Sequence, residues 1–287
     1  MPAQRTSTGS PTVRRRELGA LLRALRNERG FTVDQVAAEL LCSPSKVSRM
    51  ETGQRGATRR DIRDLCDLYG VNDAAEREHL MTLAREGKQQ GWWQSFSLPY
   101  NNYVGLEQEA ASLCIFHSSV VPGLVQTPDY TRALHEKGVP RLENSAIEER
   151  IEERNTRQKI LADDSSRQLE IIIDEAVLHR PVGGSVVMRK QLSRLIEEGQ
   201  RSNLTVLVVP YDVGAHPGLE SNFTILEFAG QSPTVIYVEG LVGPIYVERQ
   251  QDVDRYLLVR EMLRGMALSP EDSAELAAKV RDAYTGE

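Results

Sequence analysis

The chain has 287 residues, of which 40% are hydrophobic and 26% charged, an ordinary balance for a globular protein and enough for two domains. No apolar run approaches the roughly 20 residues that span a bilayer, and no signal-peptide core follows Met1, so a membrane or exported protein is not expected. The three cysteines, Cys42, Cys66 and Cys114, are too widely spaced for a metal-type pair and fit a reducing cytoplasm.

The net charge of −6 is divided unevenly along the chain. Residues 1–60 hold twelve Lys and Arg against five Asp and Glu, or +7, which leaves −13 for the remainder. Such asymmetry is typical of a protein with one end that faces nucleic acid and another end with a different role.

The first helix is predicted from about Val13 to Arg29, after a lead over residues 1–11 that is rich in Ser, Thr, Pro and Gly and is expected to be disordered. Arg14, Arg15 and Arg16 lie in the first turn of this helix, where the helix dipole disfavours cations. They are therefore either simply solvated or close to phosphate.

Residues 32–53 predict two short helices joined by a tight turn. Thr32 caps the first of them, with Gln35 three residues on as a capping box requires. Ser43 caps the second, and Pro44 occupies its first position, where the missing N–H costs nothing. The small and basic residues of the second helix face outward: Ser45, Lys46, Ser48 and Arg49.

This arrangement is that of a helix-turn-helix, whose second helix lies in the major groove of DNA. A helical hairpin inside a larger bundle is the alternative, but the caps, the turn length and both apolar faces agree with the motif. We therefore expect sequence-specific binding to double-stranded DNA, with Lys46 and Arg49 reaching base edges. The predicted DNA-binding residues are Thr32, Gln35, Ser43, Pro44, Ser45, Lys46, Ser48, Arg49, Arg55, Arg14 and Arg15.

The segments Leu25–Gly30, Thr32–Ala37 and Ser43–Gly53, which ends in Met-Glu-Thr-Gly, resemble the lambda-repressor-like (Xre) DNA-binding family. In that family a glutamine usually follows the cap of the first helix of the motif and contacts phosphate. Val33 stands at this position, so the resemblance does not supply that contact here.

Two more helices are predicted, from Arg59 to Gly70 and from Asp73 to Glu86. Gly87 to Tyr103 then breaks the helical pattern and predicts a linker. Its tandem Trp92 and Trp93 either dock the linker on one domain or bind a ligand. The predicted organisation is an all-α helix-turn-helix domain of about five helices over 12–86, a linker over 87–103 and a second domain over 104–287.

The second domain is expected to mix helices and strands. Buried strands are predicted at Leu169–Asp174 and Leu204–Val209, and paired strands at Asn222–Phe228 and Thr234–Glu239. Leu106–Leu113 is predicted to be helical and to run into the apolar stretch that follows it. The other predicted helices are Tyr130–Glu136, Ser145–Ala162, Glu175–Arg180, Val186–Glu198, Asp252–Ala267 and Pro270–Ala283. The pattern indicates an α+β or α/β domain with four to five strands.

Segments 121–130, 173–184 and 216–218, with the Arg157-Gln158 pair, resemble the C-terminal domain of actinobacterial regulators of the WhiJ type, an antitoxin-like group. The resemblance extends from Thr12 onward. It implies a transcription regulator with a small partner protein encoded by a neighbouring gene.

Four polar residues of the second domain admit an enzymatic interpretation. Asp174 and Glu175 end a strand where open sheets often place ligand sites, His179 lies four residues beyond Glu175, and His216 lies in a Gly/Pro-rich loop. The signatures of zinc, serine-hydrolase, phosphate and dinucleotide sites are missing, which favours structural or capping roles. We expect no enzymatic activity, cofactor or metal; the alternative is an enzyme acting on a nucleotide-like small molecule with a DNA-binding headpiece.

Two irregular loops, Val121–Tyr130 and Tyr211–Ser221, are the predicted recognition surfaces, unless both are ordinary connections. The predicted partner or ligand residues are Pro122, Gln126, Tyr130, Asp174, Glu175, His179 and His216. The expected protein is a cytoplasmic, nucleoid-associated homodimer that represses transcription. Its second domain responds to the small partner protein or, as second choice, to a small molecule.

Overall fold

The computed structural model describes residues 11–89, 91–96, 98–138, 141–162, 167–229, 232–240 and 243–285. The predicted lead, residues 1–11, thus lies outside the described residues except for Pro11. The chain divides into two compact units, Met1–Glu109 and Ala110–Glu287. None of the helices in these ranges is both long and apolar enough to cross a membrane.

The described part of the first unit is built from helices, and the five predicted ones are confirmed. They begin where the capping residues indicate, since Thr32, Ser43, Thr58 and Asp73 each accept a backbone N–H of the helix that follows. The helices are α1 (Pro11–Glu28), α2 (Val33–Glu39), α3 (Pro44–Glu51), α4 (Arg59–Leu68), α5 (Ala74–Glu86) and α6 (Asn101–Glu109).

One apolar core holds α1 to α5 together. Leu22, Val36, Val47, Ile62 and Leu80 come from five different helices, pack in one cluster and are each no more than 1% exposed. Burying an aliphatic side chain of this size contributes roughly 1.5–3 kcal/mol. The helix-turn-helix is therefore packed into a five-helix bundle and is not an isolated hairpin.

The segment after α5 packs within the first unit. Trp93 is 5% exposed, and its ring lies directly against the backbone of Gly91 and Gly105. Gly105, in α6, also lies against Thr12 of α1. Because of these contacts the first unit extends to Glu109, beyond the end at residue 86 that the sequence predicts. Trp93 packs the segment after α5 against the rest of this unit.

A six-stranded mixed sheet forms the centre of the second unit, in the order β3-β2-β1-β4-β5-β6. β1, β2 and β3 are parallel, whereas β4, β5 and β6 continue the sheet in antiparallel fashion. The α+β prediction is confirmed. The strands are β1 (Ser112–His117), β2 (Gln168–Asp174), β3 (Leu204–Val209), β4 (Phe223–Glu227), β5 (Val235–Gly240) and β6 (Gly243–Val247).

Helices cover both faces of this sheet. Val253 and Leu263 of α11 pack with Leu207 and Val209 on one face, whereas Val206 faces α10 and α12 on the other. This alternation along β3 follows from the two-residue period of a strand. The helices are α7 (Pro128–Glu136), α8 (Asn144–Arg157), α9 (Ala176–His179), α10 (Ser185–Glu198), α11 (Gln250–Met266) and α12 (Pro270–Ala283).

The prediction of a helix over Leu106–Leu113 is wrong at its end. Helix α6 stops at Glu109, and Ser112–His117 is β1, the strand between β2 and β4. A short apolar run cannot be assigned to helix or strand from its period alone. The partners of this strand lie more than fifty residues away, at Ile172 and Phe223 for Phe116.

The two outermost strands differ in how their edges are covered. On β3, the Val208 N–H donates to Ser273 Oγ at 3.0 Å, and the Val208 carbonyl accepts the Leu268 N–H at 2.9 Å. On β6, the described residues show pairing with β5 alone. β6 also carries Pro244, which has no N–H to donate, and Ile245, which is 56% exposed.

We predict that the second unit loses stability in mild acid through His117. Burial lowers the pKa of His117 to about 4, opposed by the hydrogen bond that its Nδ1–H donates to the Val120 carbonyl at 3.2 Å. Because the folded pKa lies below the unfolded value of about 6.5, the unfolded chain gains a proton first as the pH falls. We expect His117 to contribute about 2 kcal/mol of the loss between pH 7.5 and pH 5, separately from His135, whose pKa burial also lowers to about 4.

Urea titrations at both pH values measure this loss. His117→Gln, which does not titrate, should show a pH dependence smaller by about the same amount, whatever its stability at pH 7.5. An unchanged pH dependence in that variant would contradict the assignment.

Candidate functional site

The caps of the two motif helices have the predicted geometry. Thr32 Oγ1 accepts the Gln35 N–H at 3.2 Å, and Gln35 Oε1 accepts the Thr32 N–H at 2.8 Å. Ser43 Oγ accepts the Lys46 N–H at 3.2 Å, with Pro44 in the first position of α3. In this conformation the Gln35 side chain closes the capping box and fixes the beginning of α2.

The turn between α2 and α3 contains a left-handed residue, Leu41, with φ +50°. Leu41 is 93% exposed, so no burial of its side chain offsets the strain of that conformation. Cys42 follows with its N–H bonded to the Ala37 carbonyl at 2.9 Å, which closes the turn.

Helix α3 has one buried face and one exposed face. Val47 and Met50 are 1% and 2% exposed, respectively, and belong to the core. The exposed residues lie in the first two turns, where a recognition helix touches base edges. They are Pro44, Ser45, Ser48 and Arg49.

Lys46, predicted to read bases, forms an ion pair within the unit. Its Nζ lies 2.6 Å from Asp61 Oδ1, and Asp61 Oδ2 accepts the Thr58 N–H at 2.8 Å. Burial raises the pKa of Asp61, but the hydrogen bonds from Lys46 and Thr58 outweigh it and hold this pKa below its ordinary value. Lys46 thereby ties α3 to the beginning of α4.

A bidentate ion pair joins α1 to the end of α3. Arg26 Nε and Nη2 lie 2.7 and 3.0 Å from the two carboxylate oxygens of Glu51, and Arg26 Nη1 donates to the Phe31 carbonyl at 2.8 Å. The two side chains are 11% and 6% exposed. The hydrogen bond to Glu51 raises the pKa of Arg26, and buried Tyr69, beside the pair, has a raised pKa because of burial and the Glu51 charge.

Two glycines allow α1 to approach α3 closely. A Cβ on Gly19 would lie 2.5 Å from the Glu51 carbonyl oxygen and 2.6 Å from that of Met50. Gly53, with φ +69°, lies against the backbone of Arg16. These contacts and the Arg26–Glu51 pair set the position of α3.

The predicted arginines fall into two groups. Arg55 is exposed in the loop after α3, and its N–H is bonded to the Arg49 carbonyl at 2.9 Å. Arg14 lies 3.1 Å from Glu86, and Arg15 donates to the Gly87 carbonyl at 3.3 Å. Burial lowers the pKa of Arg15. Arg14 and Arg15 therefore tie α1 to the end of α5, a role that neither sequence alternative foresaw.

In the second unit, Asp174 and His216 meet at the end of β2. Asp174 Oδ2 accepts the His216 Nε2–H at 2.9 Å, and His216 Nδ1 accepts the Gly218 N–H at 3.2 Å. Asp174 Oδ1 also accepts the Ala176 N–H at 2.7 Å. Both ring nitrogens are thus hydrogen-bonded, and the His216 side chain is 2% exposed. This pair holds the loop after β3 against the sheet.

The second carboxylate, Glu175, contacts the same loop. Glu175 Oε1 lies 3.1 Å from His179 Nε2, and Oε2 accepts the Tyr211 N–H at 2.8 Å. The His179 and Tyr211 rings are stacked, with centroids 5.6 Å apart. Burial and the charges of Asp174 and Glu175 raise the pKa of Tyr211. Among the described residues, no three His, Cys, Asp or Glu side chains are placed to hold a metal ion.

The loop Val121–Tyr130 does not present the predicted recognition residues to solvent. Pro122 is buried, Gln126 is 3% exposed and Tyr130 is fully buried. Gln126 Nε2 donates to the Val121 carbonyl at 2.6 Å, and Tyr130 Oη accepts the Val121 N–H at 3.1 Å. The prediction that these side chains contact a partner is wrong for this conformation, because they form the interior of the loop.

The sequence does not predict the residues that position α3, which are Gly19, Arg26, Glu51 and Asp61. Arg26 and Glu51 belong to the segments that resemble the Xre family, so the signal was present. Their pairing was not predictable because it joins residues 25 positions apart.

The family comparisons agree with this geometry. Residues 17–80 match the family described as helix-turn-helix domain, and residues 100–279 match the one described as domain of unknown function (DUF5753). No curated protein and no solved structure matches the chain. The prediction of a helix-turn-helix DNA-binding regulator is confirmed, whereas the likeness to WhiJ-type regulators stays a prediction.

Proposed function

Because the chain belongs to the DUF5753 family and carries a helix-turn-helix domain, we propose that it is a sequence-specific DNA-binding repressor of transcription. The observation that carries the proposal is the exposed face of α3, where Ser45, Ser48 and Arg49 stand on a helix whose other face is locked into the core. Such a helix enters the major groove without rearranging the unit.

The charges around α3 favour this orientation. Arg55, Arg59 and Arg60 are exposed in the loop and helix start that follow α3, and Arg60 is 83% exposed despite its Asp64 partner. Cations beside a recognition helix contact phosphates, which fixes the register without reading sequence. Arg49 then supplies the long side chain that reaches a base edge.

We predict different effects for the two long basic side chains of α3. Arg49→Ala should cost about 1–3 kcal/mol at the preferred site and relax the choice of base at one position. Lys46→Ala should weaken all sequences alike, because it removes the brace to Asp61 rather than a base contact. The measurement is selection from random duplexes, followed by titration of the selected site and of single-base variants.

Lys46→Arg is the matched control, since it keeps the charge beside Asp61. A changed base preference in Lys46→Ala would restore Lys46 as a base reader. An unchanged preference in Arg49→Ala would contradict the assignment of α3.

We further propose a homodimer on DNA. One helix-turn-helix reads few base pairs, and two half-sites one helical turn apart, about 34 Å, give useful specificity. Sedimentation of the full chain at micromolar concentration, with and without the selected duplex, tests this. A monomer that protects a single half-site would refute it.

The second unit is proposed to receive the signal, from the small partner protein of the WhiJ-type resemblance or from a small ligand. The exposed loop Tyr211–Ser221, held by Asp174 and Glu175, supports a recognition role. Co-purification with the neighbouring gene's product and its effect on operator affinity test the partner. The pairs Asp174–His216 and Glu175–His179 both hold the loop Tyr211–Ser221, so they give no support to the enzymatic alternative.

A further inference from the structure

A cavity of about 370 Å³ opens beside the loop Tyr211–Ser221 in the second unit. Its walls come from the turn before β4, the end of β6 and the first turns of α11: Pro217, Phe223, Val247, Tyr256 and Val259. The volume lies in the range of roughly 300–1,000 Å³ that is common for small-molecule sites. The walls are mainly apolar, as such sites require.

The floor of the cavity is aromatic and fixed. Phe223 is 3% exposed, and its ring centroid lies 5.1 Å from that of Tyr256 in an edge contact. Phe116 packs against Phe223 at 5.6 Å and against the His216 ring at 5.9 Å. Because His216 is bonded to Asp174, this row of rings is anchored at the end of β2. The cavity is therefore preformed.

The rim of the cavity carries Glu220, Asp252 and Arg255. Across the part of the chain that the structure describes, none of these side chains has an opposite charge within 4.0 Å. Two carboxylates against one guanidinium give the rim a net negative charge. This charge favours a cation over an anion.

We propose that this cavity binds a small organic cation, an amine or quaternary ammonium with an apolar body. The apolar body lies on Phe223 and between the aliphatic walls, and the ammonium group faces Glu220 and Asp252. The carboxylates of Glu220 and Asp252 disfavour anions, whereas Arg255 carries the same charge as the ligand and weakens the binding of the cation. The role of this cation as the signal of the second unit rests on the proposed regulatory function. Its binding to the cavity does not.

The test uses the 287-residue chain and three probes of similar shape: phenethylamine, 2-phenylethanol and 3-phenylpropionate. Ligand-detected NMR titration should show saturable binding of phenethylamine, at least tenfold weaker binding of the alcohol and none of the carboxylate. Failure of phenethylamine to bind, or equal binding of the three probes, would overturn the proposal.

Variants on the rim locate the site and fix the sign of the charge effect. The double variant Glu220→Gln, Asp252→Asn should weaken phenethylamine at least tenfold, and Arg255→Ala should strengthen it severalfold. Asp254→Asn is the matched control, since Asp254 is exposed on the same helix and accepts from Gln250 rather than facing the cavity. Weaker binding in Arg255→Ala would overturn the cation assignment.

Titration of the selected duplex with and without phenethylamine separates this inference from the proposed function. Binding of the amine without any DNA binding would refute the regulator and leave the cavity assignment standing. DNA binding without amine binding would refute the cavity assignment alone.

Discussion

Arg26→Ala should destabilise the first unit by about 3–5 kcal/mol, because it leaves the Glu51 carboxylate buried without its partner. Glu51 is 6% exposed and receives two hydrogen bonds from the guanidinium. The Phe31 carbonyl loses its donor at the same time. Arg26→Lys should recover only part of the loss, since an ammonium cannot make the bidentate contact. Urea unfolding, followed by Trp fluorescence and circular dichroism, measures both variants.

Arg63→Ala is the matched control for this loss. Its pair with Asp64 is exposed, with side chains 60% and 37% accessible, so the expected change is at most about 1 kcal/mol. The double replacement Arg26→Met, Glu51→Leu should be more stable than Arg26→Ala, because an apolar pair replaces the orphaned charge. Equal losses for Arg26→Ala and Arg63→Ala would show that the buried pair does not hold α3.

Gly19→Ala should cost about 3 kcal/mol, at the upper end of what an added methyl group costs in a packed core. The new carbon would lie 2.5 Å from the Glu51 carbonyl oxygen, a backbone atom that cannot turn aside. Helix α3 must therefore move away from α1. We expect a lower urea midpoint and, in the folded fraction, weaker binding to every DNA sequence alike.

Gly56→Ala provides the comparison in the same unit. Its added carbon would lie 3.7 Å from Arg15 Cδ, an ordinary contact, so stability should change little. If Gly19→Ala unfolds at the same urea concentration as Gly56→Ala, the close crossing of α1 and α3 does not limit the position of α3.

The helices of the first unit can be predicted from local features of the sequence, such as capping residues. The side chains of Thr32 and Ser43 each accept the N–H of the residue three positions later. The beginnings of α2 and α3 can therefore be predicted from a few neighbouring residues. The ion pair of Lys46 cannot be predicted in this way, because its partner Asp61 belongs to the next helix. The sequence pattern places Lys46 on the outer face of α3, as it would a residue that contacts DNA bases. Distance along the chain, rather than lack of signal, limits such predictions.

In the second unit the same limit acts on strands. Continuous apolar runs predict β2 and β3. β6 contains Gly243 and Pro244 and lies at the edge of the sheet, where its residues are not fully buried and the hydrophobic pattern is therefore weak. The carboxyl end of β2 was correctly expected to collect polar residues, but only the fold brings His216 to Asp174. The cavity beside α11 had no counterpart in the sequence at all.

The uneven covering of the sheet margins has a consequence for assembly. Ser273 and Leu268 occupy the backbone groups of Val208, so a further strand cannot add beside β3 without displacing the first turn of α12 and the residue Leu268 before it. Growth of the sheet, whether by a partner segment or by aggregation of partly unfolded chains, is thus directed to the side of β6. There Pro244 interrupts the row of donors, which restricts any such addition to a short, imperfect ladder and disfavours association of chains through this edge.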